Sequence, residues 1–228
     1  QESRLLLAAH HFFGSAMVDA GKPLDVASPR EAAPLKFNTS NTRKQQEYIK
    51  IFGQLGIDLD FTAHDLPEIK ASAIEVVVHK ASQLDDGIVV EDTSLDVEGA
   101  DIGADIRWFN EALQPYEGRK AVWTSLLAVR RGNDVEVFSG SVVGCLVAPR
   151  AMDTAALEAA GAFGMANPLA WGFDQCFLPD GVEHTLMQSR PLERNPRFLA
   201  AQALAKRCPL EVRPLLTDWS GPWQDDHA

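Results

Sequence analysis

The chain has 228 residues, 46% of them hydrophobic, and a formal net charge of −11, so it can bury a sizeable core as one domain with some length left over. That acidity argues against a nucleic-acid polymer as partner, which needs a basic surface to displace counterions, but not against a single nucleotide, for which a few local cations suffice. Three cysteines, Cys145, Cys176 and Cys208, form neither a disulfide framework nor a zinc spacing and point to a reducing, cytoplasmic compartment, and no stretch approaches the ~18 apolar residues of a membrane span.

In chain order, residues 1–34 come first. Leu5-Leu6-Leu7-Ala8-Ala9 is short for a signal-peptide core and is followed at once by His10 and His11. An amphipathic helix over about 2–20, ended by Gly21, and a proline-containing linker over 22–34 are expected instead. Next, Phe37-Asn38 opens into Thr39-Ser40-Asn41-Thr42-Arg43-Lys44, after which Tyr48, Ile51, Phe52 and Leu55 recur at helical spacing. A strand should therefore hand over to an amphipathic helix through a polar turn. The helix N-terminus offers backbone N–H groups and a positive dipole end, which suit phosphate. Thr39, Ser40 and Asn41 add short polar side chains, and Lys44 adds a point charge one turn in. The Gly-x4-Gly-Lys pattern of a Walker A loop is absent, and on its own the segment reads as an ordinary N-cap.

Ile57, Leu59 and Phe61 alternate with polar residues as a half-buried strand does. Ser72 with Glu75 forms a capping box that starts a helix through about 84, carrying Lys80. Val76, Val77 and Val78 are poor helix formers, so this helix must rely on tertiary packing. Ile88-Val89-Val90 is a short buried strand delivering Glu91 and Asp92 at its end. Segments 121–130 and 135–147 flank Gly132-Asn133-Asp134, a hairpin signal. Asn195-Pro196 supplies an N-cap and a first-turn proline for a helix ending near Cys208-Pro209. The chain is thus mixed α/β with an antiparallel meander. An acidic tail, 217–228, is left either without structure or packed across a partner.

Four segments in this order carry a resemblance: Thr39–Lys44, Asp65-Leu66-Pro67-Glu68, Glu91-Asp92-Thr93-Ser94-Leu95, and Trp171-Gly172-Phe173-Asp174 running on to Phe177, Pro179, Asp180 and Gly181. Over about residues 35–207 the chain resembles the inosine triphosphate pyrophosphatase family, which hydrolyses noncanonical purine nucleoside triphosphates to monophosphate and pyrophosphate. The resemblance implies an elongated curved sheet with helices and a nucleotide cleft between two lobes, formed by a domain over 35–216. It also implies Mg²⁺ and a homodimer.

Hydrolysing a phosphoanhydride needs a divalent cation, a positioned water and a carboxylate to orient or deprotonate it. Mg²⁺ takes oxygen ligands and commonly only one or two protein carboxylates. By the resemblance, Glu68 and Asp92 hold the metal and Asp92 also serves the water; a solvated acidic strand end is the plain alternative for Glu91-Asp92. Thr93 follows in the same motif. Lys44 and Lys80 serve the phosphates. Arg107 matches a family lysine, and is equally read as a surface arginine beside a core Trp108. Trp171 and Phe173 occupy the family's two aromatic positions in exchanged order, where either can stack on a purine and at least one is expected in the core. Asp174 matches the aspartate of that loop. Counting back from Ala203-Leu204, Arg194 takes the place of a family lysine that touches nucleotide. On that count, Phe198-Leu199-Ala200 takes the place of a Ser-His-Arg triplet that reads a 6-keto purine edge. Arg197 stands one residue away.

Phosphate chemistry therefore reads as retained and base recognition as rebuilt. Three classes stay open: a Mg²⁺-dependent hydrolase of noncanonical purine triphosphates, a related hydrolase for a different or modified base, and a catalytically silent nucleotide-binding protein. Lys44, Glu68, Lys80 and Asp92 together weigh against the third.

Overall fold

The computed structural model describes residues 33–104, 106, 112–150, 172–189 and 191–224. The helix expected over 2–20, most of the linker after it, Arg107 and Trp171 lie outside the described residues. In chain order the elements are β1 (Leu35–Asn38), α1 (Thr42–Gln54), β2 (Leu59–Thr62), α2 (Ala73–Ser82), β3 (Val89–Val97), β4 (Ala100–Gly103), β5 (Lys120–Arg131), β6 (Asp134–Leu146), β7 (Phe177–Pro179), α3 (Pro196–Ala205) and β8 (Glu211–Pro214).

Among the described residues the strands form one eight-stranded mixed sheet, as expected of an α/β chain with a meander. β1 lies parallel to β2 on one side and to the start of β3 on the other. β3, β5 and β6 are the long antiparallel meander. Its hairpin turns at Gly132, whose φ of 63° is the left-handed region that glycine enters without steric cost. Short strands extend the meander at both ends: β4 returns along the end of β3, while β8 and β7 pair with the start and end of β6.

Side chains alternate between the two faces of a strand, and the cores follow that alternation. On one face Val77, Val78 and Ala81 of α2 cover Val90, Leu126, Ala128, Val135 and Val137. This packing supports a helix whose valines propagate it poorly. On the other face Tyr48, Ile51 and Phe52 of α1 and Ala200, Ala201 and Leu204 of α3 cover Phe37, Val89, Leu127, Val129 and Phe138. Further along β3 and β5 a separate core holds Leu95, Val97, Trp123, Phe173 and Phe177. Between these last two cores the strands carry Glu91, Thr93 and Ser125 in place of apolar side chains.

Two details differ from the sequence-based expectation. β3 does not stop at Val90: it pairs with β5 as far as Val97↔Ala121, so Glu91 and Asp92 sit inside the strand, opposite Leu127 and Leu126. The polar pair cost the segment its strand signature, yet both partners on β5 are apolar and the ladder continues. Residues 217–224 also fold back on the chain, with an antiparallel bridge between Ile69 and Trp223.

Candidate active site

Asn38, at the end of β1, starts the site. Its Oδ1 accepts from the Thr62 hydroxyl at 2.9 Å and the His64 amide at 2.8 Å, and its Nδ2 donates to the His64 carbonyl at 3.1 Å, tying the exits of the two parallel strands together. The chain then turns through Thr39 and Ser40 into α1. Asn41 is the N-cap, and its Oδ1 accepts from the Arg43 and Lys44 amides at 3.0 and 3.2 Å. The loop is thus the expected cap, and it consumes two of the amides that the helix start would otherwise present.

Because successive residues of β3 face opposite ways, Glu91 and Asp92 serve two different sets of cations. Glu91 points toward α1 and α3 and is almost fully buried. Its Oε2 pairs with Lys44 at 2.6 Å, and its Oε1 accepts from Arg197 Nε at 3.0 Å and the Thr93 hydroxyl at 2.7 Å. Burial alone would raise this carboxyl, but Lys44 and Arg197 outweigh it and hold Glu91 well below the usual carboxylate range. Arg197 also donates from Nη1 to Glu47 of α1 at 2.9 Å, and lies over the Trp123 ring at 5.5 Å. Asn195, the N-cap of α3, donates to the other oxygen of Glu47 at 3.0 Å. Burial would lower the guanidinium's pKa, but Glu47 and Glu91 raise it above its ordinary value.

Asp92 points toward α2. Its Oδ1 accepts from Lys80 Nζ at 2.8 Å, and the same ammonium lies 3.0 Å from Glu68 Oε1. Asp92 Oδ2 is buried with no hydrogen-bond partner. Burial raises the Asp92 carboxyl against the pull of Lys80, while Lys80 is raised by Asp92 and Glu68 against the effect of its own burial.

These groups open on one cavity of about 470 Å³. Of the residues expected from sequence, Thr39, Ser40, Asn41, Lys44, Glu68, Lys80, Asp92, Thr93, Phe173 and Asp174 line it. Phe173 does so from the core, edge-on to Trp123 at 5.4 Å. Arg194 does not line it and sits in a short turn, Leu192–Arg194, near Gly181. Phe198 and Leu199 pack among apolar side chains, and Ala200 is buried where α3 presses on β6. The side chain that α3 sends into the cavity is Arg197. Asn38, His64, Asp65, Trp123 and Gln224 also line it and were not singled out from sequence. Asp65 had a sequence signal as the first residue of the Asp65–Glu68 motif, Asn38 as the end of the strand before the polar turn, and Arg197 as a basic residue two places after the N-cap.

Metal fit can be judged from the donors. Glu68 and Asp92 share one cation-sized position, at present spanned by the Lys80 ammonium, and Asp92 has a buried oxygen to spare. Among the described residues no group of three or more His, Cys, Asp and Glu comes together. A pair of carboxylates without soft ligands suits Mg²⁺, which leaves its other positions to water and phosphate, and not a dedicated protein cage.

A mixed sheet with a polar cavity between two cores, lined by paired lysines, an arginine and acids, defines a charged small-molecule pocket. Residues 35–208 match the Ham1 family, and the chain belongs to that family. It is 29% identical over 189 residues to the inosine triphosphate pyrophosphatase of Aspergillus fumigatus, covering 75% of this chain and 91% of the fungal protein. The likeness to inosine triphosphate pyrophosphatases drawn from the four motifs is borne out.

Proposed function

We propose that this chain hydrolyses noncanonical purine nucleoside triphosphates between the α and β phosphates, with Mg²⁺ held by Glu68 and Asp92. The enzyme class, a nucleoside-triphosphate pyrophosphatase, follows from its family. The observation that carries the finer reading is Asp92, a residue that lines the cavity: one oxygen is bound to Lys80 and the other is buried and unpartnered.

Each residue then has a task. Thr39, Ser40 and Asn41 position the triphosphate at the start of α1, and Lys44, braced by Glu91, meets it with charge. Lys80 orients both Glu68 and Asp92. The spare oxygen of Asp92 accepts a hydrogen bond from the attacking water and fixes its direction. When bound, Mg²⁺ neutralises the charge that develops on the phosphates. At the other end, Phe173, Asp174, Trp123 and Arg197 surround the place left for the base. Arg197 takes over from the family's reading triplet, because Ala200 faces the sheet. The same proposal places the enzyme in the cytoplasm, supported by three free thiols, and as a homodimer, supported by the family resemblance alone.

Pyrophosphate release is to be measured for inosine, xanthosine, adenosine and guanosine triphosphates with Mg²⁺. The first two should lead, and Asp92→Asn should lower the rate by on the order of 10²-fold or more without unfolding the protein. Near-wild-type turnover by folded Asp92→Asn would remove Asp92 from the reaction.

A further inference from the structure

The Glu68 loop has no strand of its own, and Pro67 within it lacks an N–H; Lys80 meets its carboxylate at 3.0 Å, but the backbone that carries it is held from elsewhere. That support comes from residues 215–224, which lie beyond the 35–208 family match. After β8, the Leu215 amide donates to the Asn133 carbonyl at 3.2 Å and the Leu216 amide to Ser82 Oγ at 2.9 Å. Both leucines pack on the core beneath α2. Trp219 folds over Gly221 and donates its indole N–H to the Pro222 carbonyl at 2.8 Å.

From there the chain runs antiparallel to the loop. The Lys70 amide donates to the Pro222 carbonyl at 2.9 Å, and the Gln224 amide to the Glu68 carbonyl at 2.9 Å. Gln224 Nε2 adds a bond to the Ile69 carbonyl at 3.2 Å. The Trp223 ring stands edge-on to His79 of α2 at 5.5 Å. His79 directly precedes Lys80, the residue that links Glu68 to Asp92. Gln224 lines the cavity itself.

We propose that residues 215–224 are a positioning strap, which clamps the Glu68 loop onto α2 so that a divalent cation meets the Glu68 and Asp92 carboxylates together. The strap rests on the reading of those two residues as the cation's ligands. The atoms that act are mainly backbone: the Gln224 N–H and the Pro222 carbonyl pin the loop on either side of Ile69, while Trp223 anchors the strap to α2.

The test uses the full chain with Gln224→Pro, which removes the N–H that reaches Glu68, and Trp223→Ala, which removes a ring that is 45% exposed. Gln224→Ala, which keeps the backbone bond, is the comparison. Without metal or nucleotide, deuterium uptake by the 65–72 peptide should accelerate about 10-fold in Gln224→Pro and Trp223→Ala, with β5 and β6 unchanged. In the pyrophosphate assay the Mg²⁺ concentration for half-maximal rate should rise about 10-fold, the usual scale for losing a support of a metal ligand. The rate at saturating Mg²⁺ should hold, and Gln224→Ala should shift the midpoint much less than Gln224→Pro. General damage would lower the saturating rate without moving the midpoint. Unchanged uptake overturns the strap, and so does faster uptake with an unmoved midpoint. If the wild-type protein releases no pyrophosphate from any triphosphate, the assigned reaction has failed and the strap is judged by direct Mn²⁺ binding, where the same shift is required.

Discussion

Arg197 lies under two carboxylates at once, and its contribution to the fold can be separated from any contact with the base. Glu47 and Glu91 are both buried against it. Removing one partner of a buried pair leaves an uncompensated charge, at a cost of about 3–5 kcal/mol. Arg197→Ala should lose about that much in urea unfolding, and Arg197→Ala combined with Glu47→Ala should lose less than the sum of the two singles. A strictly additive result would mean that the two side chains do not depend on each other. Lys44 offers the contrast. It is partly exposed, and Glu91 keeps Arg197 when it is lost. Lys44→Met should therefore keep most of the stability and weaken all triphosphates alike, since a phosphate contact positions a ligand without reading its base. A changed ranking of bases in Lys44→Met would take the loop at 39–44 out of the phosphate site.

Helix α3 shows how an element's register decides which residue reaches the site. A count taken from its apolar end places Phe198, Leu199 and Ala200 at the cavity. The structure fixes the register from the other end, where Asn195 caps the helix with its Oδ1 3.0 Å from the Arg197 amide. Gly140 of β6 fixes it too, because a Cβ there would run into the Pro196 carbonyl and the Ala200 amide. Gly140→Ala should accordingly cost about 3 kcal/mol, the upper range for overpacking, and should disturb Arg197 with it. A neutral Gly140→Ala in thermal unfolding would show that the helix can step away from the sheet. The start of α2 was fully legible, since Ser72 and Glu75 form the capping box in both directions. The Ser72 hydroxyl and amide bonds lower the Glu75 carboxyl below its ordinary value. The stabilisation is present above the unfolded carboxylate range and is lost as pH falls through the folded pKa. Ser72→Ala should cost about 1 kcal/mol at neutral pH, narrowing as pH drops below about 4. A gap independent of pH would assign the effect to the hydroxyl alone.

At the scale of the molecule, the motifs located the polar cleft because each carries a local residue signature: a helix cap at Asn41, a loop at Glu68, a short turn at Phe173-Asp174, and an acidic pair that interrupts the apolar run of β3. Less legible were the contacts between distant segments: Glu47 with Asn195, Glu91 with Arg197, and Glu68 with Gln224. No single one of these residues announces a partner more than 100 positions away, and it is the packing of α1, α3 and the C-terminal segment around the sheet that brings them together. The completed network has an electrostatic consequence. Lys44, Lys80 and Arg197 are each ion-paired already, and they face four carboxylates, Glu47, Glu68, Glu91 and Asp92. The whole chain stands at −11. Among the described residues the cations lining this site do not outnumber the carboxylates, so on the proposed function a triphosphate is expected to bring a divalent ion with it. Removing the metal should therefore weaken binding as well as stop turnover. Calorimetry with a non-hydrolysable inosine triphosphate analogue should show affinity falling by on the order of 10²-fold between Mg²⁺ and EDTA. Glu68→Gln should reduce the affinity in Mg²⁺ while leaving the weak binding in EDTA unchanged or slightly stronger, since it removes a negative charge. Equal affinity in Mg²⁺ and EDTA would mean that Lys44, Lys80 and Arg197 release their carboxylates to the phosphates, and that the ion pairs are a latch opened by the substrate.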